Sequence, residues 1–202
     1  MHYLHTGLKH TIIHRDVKMS NILLDEKLEA KLGDFGFSKM GPPSLSKALI
    51  RIDTIVAGTV GYMAPENFYD VGLTDKSDVY SFGVVLFELL SGRSSWDSNL
   101  EEERRNLISW VVKCKQEGTM NEIIDPYLMG KIAPECFKIY VSIASSCVRE
   151  EGKDRPALRV LACEKRERIV QHCEFLRARR GKLIYSLNQY INFKTRIDRL
   201  VS

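Results

Sequence analysis

The sequence predicts a mainly α-helical lobe carrying one small β-hairpin. Three features point there: a run from Thr74 to Gly92 that is apolar nearly all round, two further bounded helical stretches after it, and an apolar triplet, a polar turn and a second apolar stretch between Ile22 and Leu32. Strands do not alternate with helices along the chain, which excludes a doubly wound sheet.

Taken in order, residues 1–10 read as the end of a helix, with Leu4 and Leu8 four apart, running into a loop at Lys9-His10. Ile22-Leu23-Leu24 before Asp25-Glu26-Lys27 predicts a short strand and turn, with a return strand at Ala30 to Leu32, and its composition makes Leu23 a core residue. Residues 36–61 are long, aperiodic and Pro- and Ser-bearing, the pattern of an extended loop. Thr74 or Asp75 can cap the following helix, which ends at Ser91-Gly92. Val79, Phe82, Val84, Val85, Leu86, Phe87, Leu89 and Leu90 leave it no clean polar face, so it belongs at the centre of the lobe. A second helix is predicted from Glu101 to Glu117, stopped by Gly118. A third runs from Pro134, favourable in a first turn, to about Glu150, with Phe137, Tyr140, Ala144 and Cys147 on one face. A last helix begins at Pro156.

Composition narrows the class. With 202 residues, 44% hydrophobic and 28% charged, the chain can bury a core of its own. Its most apolar stretch, Val84 to Leu90, is interrupted by Glu88, so no segment spans a bilayer, and the first residues lack the basic start and apolar middle of a secretory signal. Five widely spaced cysteines without a C-x-x-C pair fit reduced, mostly buried thiols and a cytoplasmic chain. The net charge of +4 resides in residues 163–202, a basic tail with ten Lys/Arg against four Asp/Glu. The remainder holds 30 − 10 = 20 basic against 26 − 4 = 22 acidic residues, so nucleic-acid binding by the whole chain is not expected.

Chemistry concentrates in three blocks. His14-Arg15-Asp16-Val17-Lys18-Met19-Ser20-Asn21 is followed, thirteen residues past Asn21, by Asp34-Phe35-Gly36, and thirty residues later by Ala64-Pro65-Glu66. An isolated Asp or Asn in a loop most often satisfies its own backbone. Three blocks in this order and spacing are far more specific, and they resemble the catalytic loop, metal-binding triplet and following anchor of protein kinases. The chain is accordingly read as a protein-kinase-like C-terminal lobe over residues 1–162, with the N-terminal lobe absent: no Gly-rich phosphate loop and no V-A-I-K strand lysine occurs in it. Tyr3-Leu4-His5-Thr6-Gly7, the stretch Lys76 to Leu86, Ile124-Asp125-Pro126-Tyr127-Leu128 and residues 131–137 resemble plant receptor-like serine/threonine kinases, specifically the malectin-like group.

The resemblance implies ATP and Mg²⁺ as cofactors and protein hydroxyls as acceptors, with other receptor kinases as further partners. Asp16 would orient the acceptor hydroxyl and Lys18 would face the transferring phosphate. Asn21 and Asp34 would offer hard oxygen ligands to magnesium, and Leu23 would floor the adenine site. Lys18 and Thr59, the latter within Gly58-Thr59-Val60-Gly61-Tyr62, imply serine/threonine specificity. Ser44, Ser46 and Thr54 are candidate phosphorylation sites, and Arg15 the cation that would pair with such a phosphate. His14, Phe35, Gly36 and Asp78 are implied supports, and Glu66 would pair with Arg155, eighty-nine residues later. The parent would be a membrane-tethered receptor with its kinase on the cytoplasmic side. A second function class is a catalytically dead module that competes for the partners of complete kinases.

Overall fold

A computed structural model describes residues 1–26, 30–43, 57–68 and 74–158. Ser44, Ser46, Thr54, Cys163, Cys173 and the basic tail lie outside the described residues. The centre of the lobe is helix α1, Asp75–Ser91, thirteen of whose seventeen residues are buried. Local chemistry sets both of its ends. The Thr74 hydroxyl accepts from the Lys76 N–H at 3.2 Å, Asp75 and Asp78 place negative charge in the first turn, and Gly92 closes the helix with φ 63°. Val79, Val84, Leu86 and Phe87 have no exposed surface, while Leu89 is 44% exposed and is the break in the predicted apolar ring.

Where one helix is expected from Glu101 to Glu117 there are two, α2 at Glu102–Arg105 and α3 at Leu107–Glu117. Asn106 separates them: its backbone is extended, it bridges to Trp96, and its side chain caps α3 by accepting from the Ser109 N–H at 3.0 Å. On α3, Trp110 is buried beneath the guanidinium of Arg93, 4.4 Å from the ring centroid. Helix α4, Pro134–Cys147, ends about one turn sooner than expected and packs Tyr140, Ile143, Ala144 and Cys147 on α1. Cys114, Cys136 and Cys147 are buried and stand outside any disulfide.

The crossing of α1 and α4 depends on Gly83. A Cβ there would stand 2.7 Å from both Cys147 Cβ and Val148 Cγ1, and 3.3 Å from the Ala144 carbonyl oxygen. Gly83→Ala gains roughly 0.5–1 kcal/mol of helix propensity. Overpacking against atoms held by two backbones typically costs about 1–3 kcal/mol, so a net loss is expected, read as a lower urea midpoint at unchanged slope.

Two small antiparallel sheets carry the loops. The predicted hairpin is present as β2, Ile22–Leu24, and β3, Ala30–Leu32, with Leu23 opposite Lys31. Leu23 is not core: it is 59% exposed on a two-stranded ribbon that stands outside the buried cluster of the described residues. The other sheet pairs β1, His10–Ile13, with β4, Lys39–Pro43, so His10 starts a strand instead of ending a loop, and residues 36–61 are not loop throughout. Before β1, residues Tyr3–Gly7 form a single π-helical turn. No helix among the described residues is long and apolar enough to cross a membrane.

Candidate active site

The loop after β1 is held in place by one carboxylate. Asp78, fully buried on the first turn of α1, accepts the His14 N–H at Oδ2 and the Arg15 N–H at Oδ1, each at 2.8 Å. Its Oδ2 also accepts from His5 Nε2 at 2.8 Å. Arg15 has φ 71°, a conformation that costs a non-glycine residue on the order of 1–3 kcal/mol, and the paired bonds to Asp78 offset that strain. His5 is the supporting residue that sequence reading passes over. It stands in a quoted phrase but bears no motif of its own, and only its 5% exposure and its bond to Asp78 reveal it.

The His14 ring links this loop to the Asp-Phe-Gly segment. Nε2 donates to the Gly33 carbonyl at 2.9 Å, which leaves Nδ1 to accept the Asp16 N–H at 3.3 Å. Phe35 stands edge-on to the same ring, with centroids 4.9 Å apart. The Gly33 N–H donates to the Asn21 carbonyl at 2.8 Å, placing Asp34 beside Asn21 although thirteen residues separate them. Asp34 is exposed, with φ 59°, and its Oδ1 accepts the Gly36 N–H at 3.3 Å. Arg15 Nη1 reaches the Phe37 carbonyl at 3.4 Å.

Asp16, 3% exposed, is the hub of the polar cluster. Its Oδ1 accepts the Thr59 hydroxyl at 2.6 Å, and its Oδ2 meets Lys18 Nζ at 2.7 Å and Asn21 Nδ2 at 3.2 Å. Lys18 also donates to the Thr59 oxygen at 3.0 Å. Burial pulls the Asp16 carboxyl upward, but the bonds from Lys18 and Thr59, the Lys18 charge and the bond from Asn21 outweigh it. The net effect is a carboxyl below its ordinary range, ionised at neutral pH.

The Asn21 amide turns its nitrogen to Asp16, so its oxygen is the atom chemically able to ligate a cation. Among the described residues no group of three or more His, Cys, Asp and Glu could hold a metal. A carboxylate and an amide oxygen are hard donors of the kind magnesium takes, while it keeps several waters and takes further oxygens from substrate phosphates. Leu23 and Leu24 of β2 lie open beside them, 59% and 54% exposed.

Farther out, Glu66 and Arg155 form a bidentate pair at 2.6 and 2.7 Å, with the Arg155 side chain fully buried. Its remaining N–H groups donate to the carbonyls of Arg149, Lys76 and Glu150.

A family model described as protein kinase domain matches residues 1–166. The chain belongs to the protein kinase family. It is 52% identical over 158 residues to the Arabidopsis thaliana receptor-like protein kinase FERONIA, covering 78% of this chain and 17% of that protein. Over the same length it is 51% identical to ANXUR2 and 49% to ANXUR1, both receptor-like protein kinases of Arabidopsis thaliana, covering 78% of this chain and 18% of each. This kinase chain therefore spans about a fifth of the length of the curated relatives it matches. Its helical lobe with small antiparallel sheets is that of a partial kinase domain.

Proposed function

We propose that this chain is the substrate-side lobe of a protein serine/threonine kinase, moving the terminal phosphoryl group of ATP to Ser and Thr hydroxyls of proteins. One observation carries the reading: an ionised, buried Asp16 already accepts an aliphatic hydroxyl, that of Thr59, at 2.6 Å, beside the Lys18 ammonium. A carboxylate so placed can orient an acceptor hydroxyl and take its proton, while the ammonium faces the charge that develops on phosphate oxygens. When bound, Mg-ATP supplies the phosphoryl group and neutralises charge. Asn21 and Asp34 would hold the metal, and Leu23 would lie under the adenine. His14, Phe35, Asp78 and the Glu66–Arg155 pair keep these groups in register, and Gly36 leaves the metal-binding segment room to hinge. The relatives' names, receptor-like protein kinases, support a receptor parent, and this lobe would then lie on the cytoplasmic side of the plasma membrane.

Thr59 sets a short aliphatic hydroxyl between Asp16 and Lys18, a reach that Ser and Thr acceptors share, whereas a phenol carries its oxygen a ring's length farther from the backbone. An enzyme completed with a nucleotide-clamping lobe is therefore expected to phosphorylate Ser and Thr peptides far faster than Tyr peptides. Phosphoamino-acid analysis of a mixed-peptide reaction checks this, and phosphotyrosine as the main product would contradict it.

The 202-residue chain alone has a different expected result. It contains no Gly-rich loop or strand lysine, and Leu23, Leu24 and Phe35, at 59%, 54% and 47% exposed, leave the nucleotide face open. Positioning supplies most of the rate in phosphoryl transfer, so weak or absent Mg-ATP binding and no turnover are expected by titration calorimetry and phosphate-transfer assay. Micromolar binding, with transfer abolished by Asp16→Asn, would show that this lobe works unaided. Phe37 and Met40 are likewise exposed, at 47% and 69%, and these open apolar side chains favour a second reading as a module that competes for kinase partners. That reading gains if complexes with such partners form while nucleotide binding is absent.

A further inference from the structure

We propose that Ser98, on the arm between α1 and α3, is a phosphorylation site for a separate, acidic-directed protein serine/threonine kinase. The proposal does not depend on this chain's own phosphoryl transfer, because here the lobe is the substrate.

A kinase whose peptide groove is lined with basic side chains selects acceptors by the carboxylates that follow the hydroxyl, through charge complementarity. Among the described residues three hydroxyls have an acidic residue three positions on: Ser94 before Asp97, Ser98 before Glu101, and Thr119 before Glu122. Of these, Ser98 is the one followed by an acidic run, Glu101-Glu102-Glu103. In an extended chain that run begins about 10 Å beyond the acceptor, within the span of one groove.

Structure separates the three hydroxyls. Transfer needs the acceptor oxygen in line with the donor phosphate, so the segment that bears it must leave the surface and enter a cleft. Ser94 is held back by its neighbour. Ser95 is 5% exposed, its N–H donates to Glu88 Oε1 at 2.7 Å, and its carbonyl accepts the Leu107 N–H at 3.0 Å. The Thr119 hydroxyl is itself buried, and Ile123, four residues on, is 1% exposed and pins the chain there to the core.

Ser98 has neither restraint. No residue from Trp96 to Asn106 is buried, and α2 within that arm gives no side chain to the core. The tip is closed by polar bonds alone: the Asp97 N–H donates to the Arg105 carbonyl at 3.0 Å, and the Asn99 N–H to Asp97 Oδ1 at 2.9 Å. Farther along, Arg104 faces Glu122 at 3.6 Å and Glu103 pairs with Lys113, both at exposed positions where ion pairs are weak. The arm can therefore be drawn out while α1 and α3 stay packed.

In the transfer, Ser98 Oγ attacks the terminal phosphorus of ATP held by the other kinase. The bond from that phosphorus to its bridging oxygen breaks, ADP leaves with the electron pair, and the hydroxyl proton passes to a carboxylate of that enzyme. The product carries a charge of about −1.5 to −2 at neutral pH. Arg105 is placed to meet it, since its Nε donates to the Leu100 carbonyl at 3.0 Å and so turns the guanidinium back toward the tip.

The test incubates the full 202-residue chain with ATP and a purified protein kinase that selects Glu three residues after its acceptor, and maps the phosphate by mass spectrometry. The chain carries Asp16→Asn, which silences any transfer of its own and keeps the result separate from the kinase reading. Ser98 should be labelled, and Ser94 and Thr119 should not. Ser98→Ala should remove that label at an unchanged urea midpoint, because the side chain is exposed. Glu101→Gln/Glu102→Gln, which spares the Glu103–Lys113 pair, should slow labelling about tenfold. A kinase that selects Arg before its acceptor should label Ser98 far more slowly. An unmodified Ser98, label at Ser94 or Thr119 in its place, an unchanged rate in the neutralised arm, or equal labelling by the two kinases would each overturn the proposal.

Discussion

Asp16→Asn in an enzyme completed with a nucleotide-clamping lobe is expected to lower kcat by about 10²–10⁴-fold, the usual contribution of a positioned proton acceptor. The substitution keeps the shape of the side chain and replaces a charged acceptor with a neutral amide. Lys18 at 2.7 Å and Thr59 at 2.6 Å then lose their charged partner. Asp34→Asn should cost similarly, through the metal, because no group of three acidic or metal-binding side chains among the described residues could compensate. Both variants should remain folded, since Asp34 is exposed and Asn at 16 can still accept from Thr59. Because the native Asp16 carboxyl lies below its ordinary range, its stabilising contribution is present above the unfolded value and lost as pH falls through the folded one. Asp16→Asn should therefore flatten the acid limb of the stability profile. Near-normal turnover in both variants, measured by steady-state kinetics, would remove the catalytic assignment.

Arg155→Ala should be the most damaging single change to the fold described here, at about 3–5 kcal/mol, the range for cutting a buried ion pair. The reason lies in how completely the side chain is used. Its guanidinium is fully buried, pairs with both oxygens of Glu66, and satisfies three backbone carbonyls besides. Glu66→Ala strands the cation but leaves those carbonyls satisfied, so it should cost less than Arg155→Ala. The double variant should cost less than the sum of the two, since the second removal takes away a group that the first has orphaned. Equilibrium denaturation of the three variants checks the order, and additive losses would show that the pair is not coupled.

Most of the site was legible because it is local. His14 to Asn21 lies in one loop, and Asp34 follows a hairpin whose two strands alternate with a recognisable turn. The boundaries of α1 were legible for a similar reason: Thr74 and Gly92 act on neighbouring backbone groups. What sequence reading missed needs partners distant in the chain. The strand at Lys39–Pro43 contains two prolines and a glycine and has little strand character, and it exists because β1 lies alongside it. Asn106 looks unremarkable within a helical run until Trp96, ten residues earlier, bridges to it. The reading of Leu23 as core failed in the opposite sense, because an apolar residue on a two-stranded ribbon is buried only if another layer covers it. Glu88 carries no motif signal, and the 2.7 Å bond it accepts from the Tyr62 phenol becomes visible only once α1 passes beneath the loop.

Helix α1 has a consequence for how this protein can change. Asp78 near its start holds the loop bearing Asp16, and Ser81 and Glu88 farther along hold the segment bearing Thr59. The same helix supplies Val79, Val84, Leu86 and Phe87 to the core. Enzymes commonly trade activity against stability, because residues that do chemistry are poorly suited to holding a fold. Here the two properties share one element. A substitution that loosens α1 to gain tolerance elsewhere also shifts Asp16 relative to Thr59, so selection for a more adaptable lobe and selection for a faster one act on α1 in opposite directions.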